Sequence, residues 1–267
     1  QVDVDADQAT AARFEVRAMP TLMLMRDEAV LDRSMGGRPA SKLLEWLDAV
    51  LAGRREVDTL REKASGSDPS ARLHLAQRLI EDGQYDEALT SLTELWEHGH
   101  HWEPGWVGVR QSYLLGEVTS LMDRWPQART TFAMLRDNLT PQLPEKEATF
   151  DWLALNETLG EPERSLEWFD GVKANPPDWL EHEYRIVGLL VSAERWSDLG
   201  ALIRSPLEHL ARECELTGYM AEAAEESPEL EHLLEFGKQQ VRTKATVLIR
   251  ALRAAGAGQN HLAVGAR

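Results

Sequence analysis

Apolar and polar positions alternate at the start of the chain, and the period then changes. Val2-Asp3-Val4-Asp5 alternates apolar and acidic residues, which predicts a short strand. Asp7 stands at an N-cap position, and Gln8 to Phe14 has helix-forming composition, with Ala12 and Phe14 available to an inner face. Pro20 keeps Met19 out of helical conformation, so this helix ends before it. Leu22 to Met25 is an apolar run of strand length, Asp27-Glu28 predicts a turn, and Val30 to Met35 predicts a second strand pairing back as a hairpin. Gly36-Gly37 predicts a bend. A helix then starts at Ser41 or just before it. It places Leu43, Leu44, Trp46, Leu47, Val50 and Leu51 at helical spacing and closes at Gly53.

The order strand, helix, Pro-Thr, strand, hairpin, Gly-Gly, amphipathic helix resembles the second half of a thioredoxin domain. The residues that carry the likeness are Val2 to Asp5, Ala11 to Val16, Met19-Pro20-Thr21-Leu22, Gly36-Gly37 and Leu43 to Leu47. The resemblance implies a cis Pro20 in a loop, Met19-Pro20-Thr21, that faces an extended substrate. In the family, two strands, a helix and a Cys-x-x-Cys precede this half, so the resemblance implies a chain that is a fragment of a longer protein or has lost part of its domain. The remaining half-sheet would expose strand edges and an apolar face. The reading from residues alone is that Pro20 is an ordinary turn proline in a small α/β unit.

Residues 54–69 are highly charged and end in Gly, Ser and Pro, which predicts a helix extension or new helix followed by a linker at Ser65 to Pro69. From Ala71 onward the strand signals stop and a punctuation recurs: Gly83-Gln84-Tyr85, Asp123-Arg124-Trp125-Pro126, Gly160-Glu161-Pro162 and Glu194-Arg195-Trp196. Tyr85, Trp125, Pro162 and Trp196 are 40, 37 and 34 residues apart, approaching the tetratricopeptide (TPR) repeat. Each punctuation lies between apolar helical patterns, and a small residue follows at Ala88, Ala128 or Ser165, where two helices must approach. The array resembles TPR helical hairpins, with insertions at His98–Gly105 and Thr140–Glu145; an irregular helical bundle is the plainer alternative. The expected fold class is a partial α/β thioredoxin-like fold followed by an all-α TPR-like array, mostly α overall. The expected domains are residues 1–53, a linker or helix extension at 54–69, the repeats at 70–253, with residues 206–255 as further helices, and a flexible tail at 254–267.

Composition narrows the function. The net charge of −16, from 45 acidic against 29 basic residues, argues against nucleic-acid binding, which needs clustered Lys and Arg, and against anionic membranes. No run approaches a membrane-spanning length. The single cysteine, Cys214, allows no intrachain disulfide, which points to a reducing compartment and a cytoplasmic location, with the reservation that a signal peptide could precede Gln1. Cys214 lies between Glu213 and Glu215 and is expected to be a buried or half-buried structural residue, with a mixed disulfide to a client as the sharper reading.

Nine tryptophans read either as an aromatic groove or as packing between helices. Trp125 and Trp196 at the turns read as structural, while Trp102 and Trp106 are the candidate client contacts, Trp102 in a loop with Pro104 and Gly105. His98, His100 and His101 read as a solvated loop rather than a metal site, so no metal and no cofactor are expected. The acidic run Ala221 to Glu226, with Glu229 and Glu231, reads as a solvated helix face. The chain carries no catalytic cysteine motif, phosphate loop or nucleophile elbow. The arrangement resembles bacterial thioredoxin–TPR co-chaperones. It implies a protein-binding scaffold or redox-linked co-chaperone whose partners are proteins or unfolded clients. The alternative is a thiol–disulfide oxidoreductase whose Cys-x-x-Cys half lies upstream.

Overall fold

The structure is a computed structural model that describes residues 2–14, 16, 19–226 and 231–256, with the side chains of 35 and 224–226 excepted. It is mostly helical, with a small sheet near the start: a partial thioredoxin-like fold followed by an all-helical array. The chain forms two compact units, Gln1–Pro126 and Gln127–Arg267.

In the first unit, the expected strand at Val2 to Asp5 is a turn instead. The Asp3 carboxylate accepts the N–H groups of Asp5 (3.0 Å) and Ala6 (3.4 Å), a local alternative that wins where no neighbouring strand offers a ladder. Helix α1 (Gln8–Arg13) starts at Asp7, whose carboxylate accepts the Thr10 N–H at 3.0 Å. That bond holds the Asp7 pKa below the usual carboxylate value. None of α1 is buried, and Ala12 is exposed.

The hairpin is as the apolar pattern predicts. Strand β1 (Thr21–Arg26) and strand β2 (Ala29–Met35) pair antiparallel, with Thr21 opposite Met35 and a bulge at Leu24/Met25. The Asp27-Glu28 turn puts Asp27 in the left-handed region at φ 54°. Helix α2 (Ala40–Leu51) ends at Gly53, whose φ of +80° lets Arg54 N–H reach the Ala49 carbonyl at 2.9 Å.

Helix α3 (Glu56–Ala64) is separate from α2 and packs on α4 (Pro69–Glu81), burying Val57 and Ala64. Asp68 caps α4 by accepting the Ala71 N–H at 3.0 Å, with Pro69 at the first helical position. Helix α4 and α5 (Tyr85–Trp102) form a helical hairpin with Ala88, Leu92, Leu95, Leu79 and Ala76 fully buried between and around them. Helix α6 (Trp106–Val109) continues through a π-helical turn at Arg110–Leu114 into α7 (Leu115–Arg124). Tyr85 and Trp125, two of the recurring punctuation residues, stack on each other at 6.2 Å between ring centres.

The second unit comprises α8 (Ala128–Leu139), α9 (Lys146–Thr158), α10 (Pro162–Val172), α11 (Tyr184–Ser192), α12 (Trp196–Leu202), α13 (Pro206–Glu226) and α14 (Glu231–Ala254). Its core joins Trp152, Phe169, Leu180, Ile186, Leu199 and Leu248, with Trp168, Trp179 and Trp196 packed against it. Ala128 and Ser165, the small residues after the second and third punctuations, are buried. Gly200 lets α12 lie against α14, since a Cβ there would sit 2.2 Å from the Ala251 carbonyl oxygen. Glu229 and residues 257–267 of the expected tail lie outside the described residues, and α14 itself runs to Ala254.

Candidate functional site

The Met19-Pro20-Thr21 loop enters β1. Thr21 opens the strand, and the Gly36 N–H donates to the Pro20 carbonyl at 2.9 Å, closing the far end of the hairpin against the loop. Gly36 takes φ +77°, a conformation that Gly adopts without cost, which is why Gly36-Gly37 follows β2. The Met19–Pro20 peptide is cis. Met19 is 68% exposed and, with Val2, Asp3, Val4 and Asp5, lines an open depression. Val2, Leu22, Met25, Leu44 and Leu51 are also exposed, so this part of the chain presents substantial apolar surface.

Residues 1–49 match the thioredoxin family model. A thioredoxin of Staphylococcus haemolyticus is 42% identical over 51 residues, covering 19% of this chain and 49% of that protein. A thioredoxin of Rhodospirillum rubrum is 35% identical over 49 residues, 18% of this chain and 47% of that protein. A thioredoxin of Staphylococcus aureus is 40% identical over 51 residues, with the same 19% and 49% coverage as the first. The chain thus spans about half the length of the curated relatives it matches. No solved structure matches it.

What fixes this thioredoxin-matching segment in place is a residue the apolar pattern gave no reason to single out. Asp32 lies in β2 and is 3% exposed. One carboxylate oxygen accepts from Arg78 of α4; the other accepts the Trp46 indole N–H at 3.0 Å and the Glu56 N–H at 3.1 Å. Arg78 also donates to the Arg33 carbonyl and to Asp82 at 3.1 Å, and lies 3.6 Å from Glu56. Burial works against the Arg78 charge, but Asp82, Asp32 and Glu56 outweigh it and raise its pKa. An acid at an inward strand position, opposite an arginine on an otherwise apolar helix face, was the available signal. Beside this network a polar cleft runs from Val30–Arg33 to the Glu81–Tyr85 turn. Burial raises the pKa of Glu81 in it, with Arg78, Arg124 and Arg33 acting in the opposite sense.

The other expected site residues fall in different places. Trp102 is the last residue of α5 rather than a loop residue; it is half-buried, with the Arg72 guanidinium 5.0 Å from its ring centre. Trp106 is 3% exposed, and a Cβ at Gly99 would lie 2.3 Å from its indole nitrogen. The Trp106 ring is therefore spent inside the first unit rather than offered to a client. His98, His100 and His101 are in α5 and not in a loop, and Gly99 among them leaves room for the Trp106 ring to lie on the helix. Cys214 is exposed on α13, against the expectation that it is buried or half-buried. The exposed α13 residues on either side of it include Leu207 and Leu216. Among the described residues, one group of donor atoms converges as metal ligands do, at Glu181, His182 and His209. No helix of the described residues is long and apolar enough to cross a membrane.

Proposed function

We propose that the chain is a protein-binding scaffold, a redox-linked co-chaperone, that captures extended or unfolded segments at the Met19-Pro20-Thr21 loop and on its helical hairpins. The observation that carries this reading is the exposure of Met19, at 68%, beside an open depression in a thioredoxin-matching segment that lacks a cysteine. Methionine is unbranched and polarisable, so it adapts to many apolar side chains. Thr21 starts a strand with its partner on one side only among the described residues, which suits pairing with an extended client. Trp102, half-buried under Arg72, offers a second apolar contact on the first helical hairpin. The TPR character of the array and a cytoplasmic location belong to the same proposal.

The test is suppression of aggregation of reduced insulin B chain, followed by light scattering at equal concentrations of the two proteins. The chain is expected to suppress it. Met19→Asp, at an exposed position, is expected to weaken capture by about tenfold, the worth of burying one methionine side chain. Undiminished aggregation in the presence of the chain overturns the proposal.

The thioredoxin match supports a second reading, a thiol–disulfide oxidoreductase whose Cys-x-x-Cys precedes these residues in a longer polypeptide. Insulin reduction by that longer polypeptide, and none by this chain, is the outcome this second reading expects.

A further inference from the structure

In the second unit a 3-10 turn at Asp178–His182 lies against the start of α13. Glu181 in that turn is 7% exposed, and its Oε2 accepts the N–H groups of Arg204 (2.8 Å) and Ser205 (3.1 Å), just ahead of the helix. Those two donors fix the carboxylate in position. Its other oxygen lies 3.9 Å from Nε2 of His182. His209, in the first turn of α13, is 7% exposed; its Nε2 is buried, makes no hydrogen bond, and stands 3.5 Å from Glu181 Oε2. The His182 ring stacks on His209 with centres 4.7 Å apart.

A buried ring nitrogen whose nearest acceptor is a carboxylate at 3.5 Å is poorly satisfied, which calls for an explanation. Here it points at a fixed carboxylate and beside a second imidazole. Two imidazoles with one carboxylate form the mixed nitrogen and oxygen donor set that zinc and neighbouring divalent ions take. We propose that Glu181, His182 and His209 bind a divalent transition metal of the zinc class, clamping the Asp178–His182 turn to α13.

The geometry needs little change. The three donor atoms lie within 4.8 Å of one another. Ligands around a tetrahedral zinc, with bonds of about 2.0–2.1 Å, sit roughly 3.3 Å apart. The Glu181–His209 separation of 3.5 Å already fits, so the closing movement falls to His182, whose side chain is 34% exposed. Lys244, the cation that would repel a metal, is drawn towards Glu213 at 3.8 Å. Three protein donors leave a fourth position for water, and His182 is exposed to it.

The test uses the full chain, stripped with a chelator, with Co²⁺ as an absorbing probe and Zn²⁺ titrated by calorimetry. One equivalent is expected to bind, with visible cobalt bands, and with zinc near 100-fold above Kd the unfolding temperature of the second unit should rise by roughly 5–10 °C. His182→Gln is expected to weaken binding at least about tenfold, and His209→Gln to do the same. The paired variant His98→Gln/His101→Gln, on α5, is expected to leave binding unchanged. Because His182 is at the surface, its variant reports on binding even if the His209 variant folds poorly. Unchanged zinc affinity in His182→Gln, loss of binding in the α5 variant, or no binding at all overturns the proposal.

Discussion

Removing the Asp32 carboxylate tests whether the hairpin is held on α4 by charge or only by apolar burial. In Asp32→Ala the Arg78 guanidinium, whose side chain is 9% exposed, loses its most deeply buried partner. Breaking a buried ion pair from one side costs about 3–5 kcal/mol, because the remaining charge stays desolvated. The Trp46 and Glu56 N–H groups lose an acceptor in the same change, each worth about 1–3 kcal/mol where water cannot replace it. Arg78 keeps Asp82 at 3.1 Å and Glu56 at 3.6 Å, which offsets part of this. The net expectation is a loss of about 3–5 kcal/mol, or roughly 10–20 °C in the melting of the first unit. Urea unfolding measures it, with the transition assigned to this unit by hydrogen exchange at the α4 amides. Asp32→Ala/Arg78→Met removes both charges and is expected to regain about 2–3 kcal/mol of the loss. A cost below about 1 kcal/mol for Asp32→Ala would refute the reasoning, since a buried, hydrogen-bonded pair cannot be that weak when broken from one side.

Two further changes test other parts of the structure. The folded pKa of Glu81 is raised above its ordinary 4.5, so the unfolded chain releases this proton at lower pH than the folded one. Stability is therefore lost as pH rises from the unfolded towards the folded value. Glu81→Gln should stabilise the first unit at pH 7, with the gain shrinking towards pH 4; a gain that grows on acidification contradicts the assignment. Gly200→Ala should destabilise the second unit by about 1–3 kcal/mol by thermal melting, because its Cβ meets the Ala251 backbone at 2.2 Å, whereas Gly188→Ala, which meets nothing, should be neutral or better.

Local chemistry was legible where one residue decides the outcome. The hairpin follows from Thr21–Arg26, Asp27-Glu28 and Ala29–Met35 because an apolar run of strand length and a turn pair specify it without help from elsewhere. The helical hairpin of α4 and α5 follows from Gly83, which takes φ +72°, and from Ala88, which is fully buried. The failures are tertiary. Val2 to Asp5 alternates like a strand, but a strand needs a neighbour, and the Asp3 side chain satisfies the local N–H groups first. Trp106 and Trp102 look alike in sequence, yet one faces Gly99 and the other lies under Arg72, and only the packing of α6 on α5 separates them. Glu181 and His209 are 28 residues apart, so their approach depends on where the turn before α11 meets α13, which no spacing rule reports.

The same network decides which part of the first unit can fold by itself. Residues 1–53 contain β1, β2 and α2, but in α2 only Val50 is buried, and none of α1 is. A two-stranded hairpin with one helix buries too little to offset the entropy of ordering it. The buried partners of Asp32 come from Trp46 within that segment, but also from Glu56 and Arg78 beyond it. Val57 and Ala64 of α3 cover α4 in turn. Residues 1–126 are therefore expected to unfold cooperatively as a separate piece, while residues 1–53 alone remain disordered by circular dichroism. A sigmoidal thermal transition in the 1–53 piece would show that the hairpin and α2 carry their own core. The Asp32–Arg78 pair would then be an attachment between two independently stable parts, and Asp32→Ala would separate them without unfolding either.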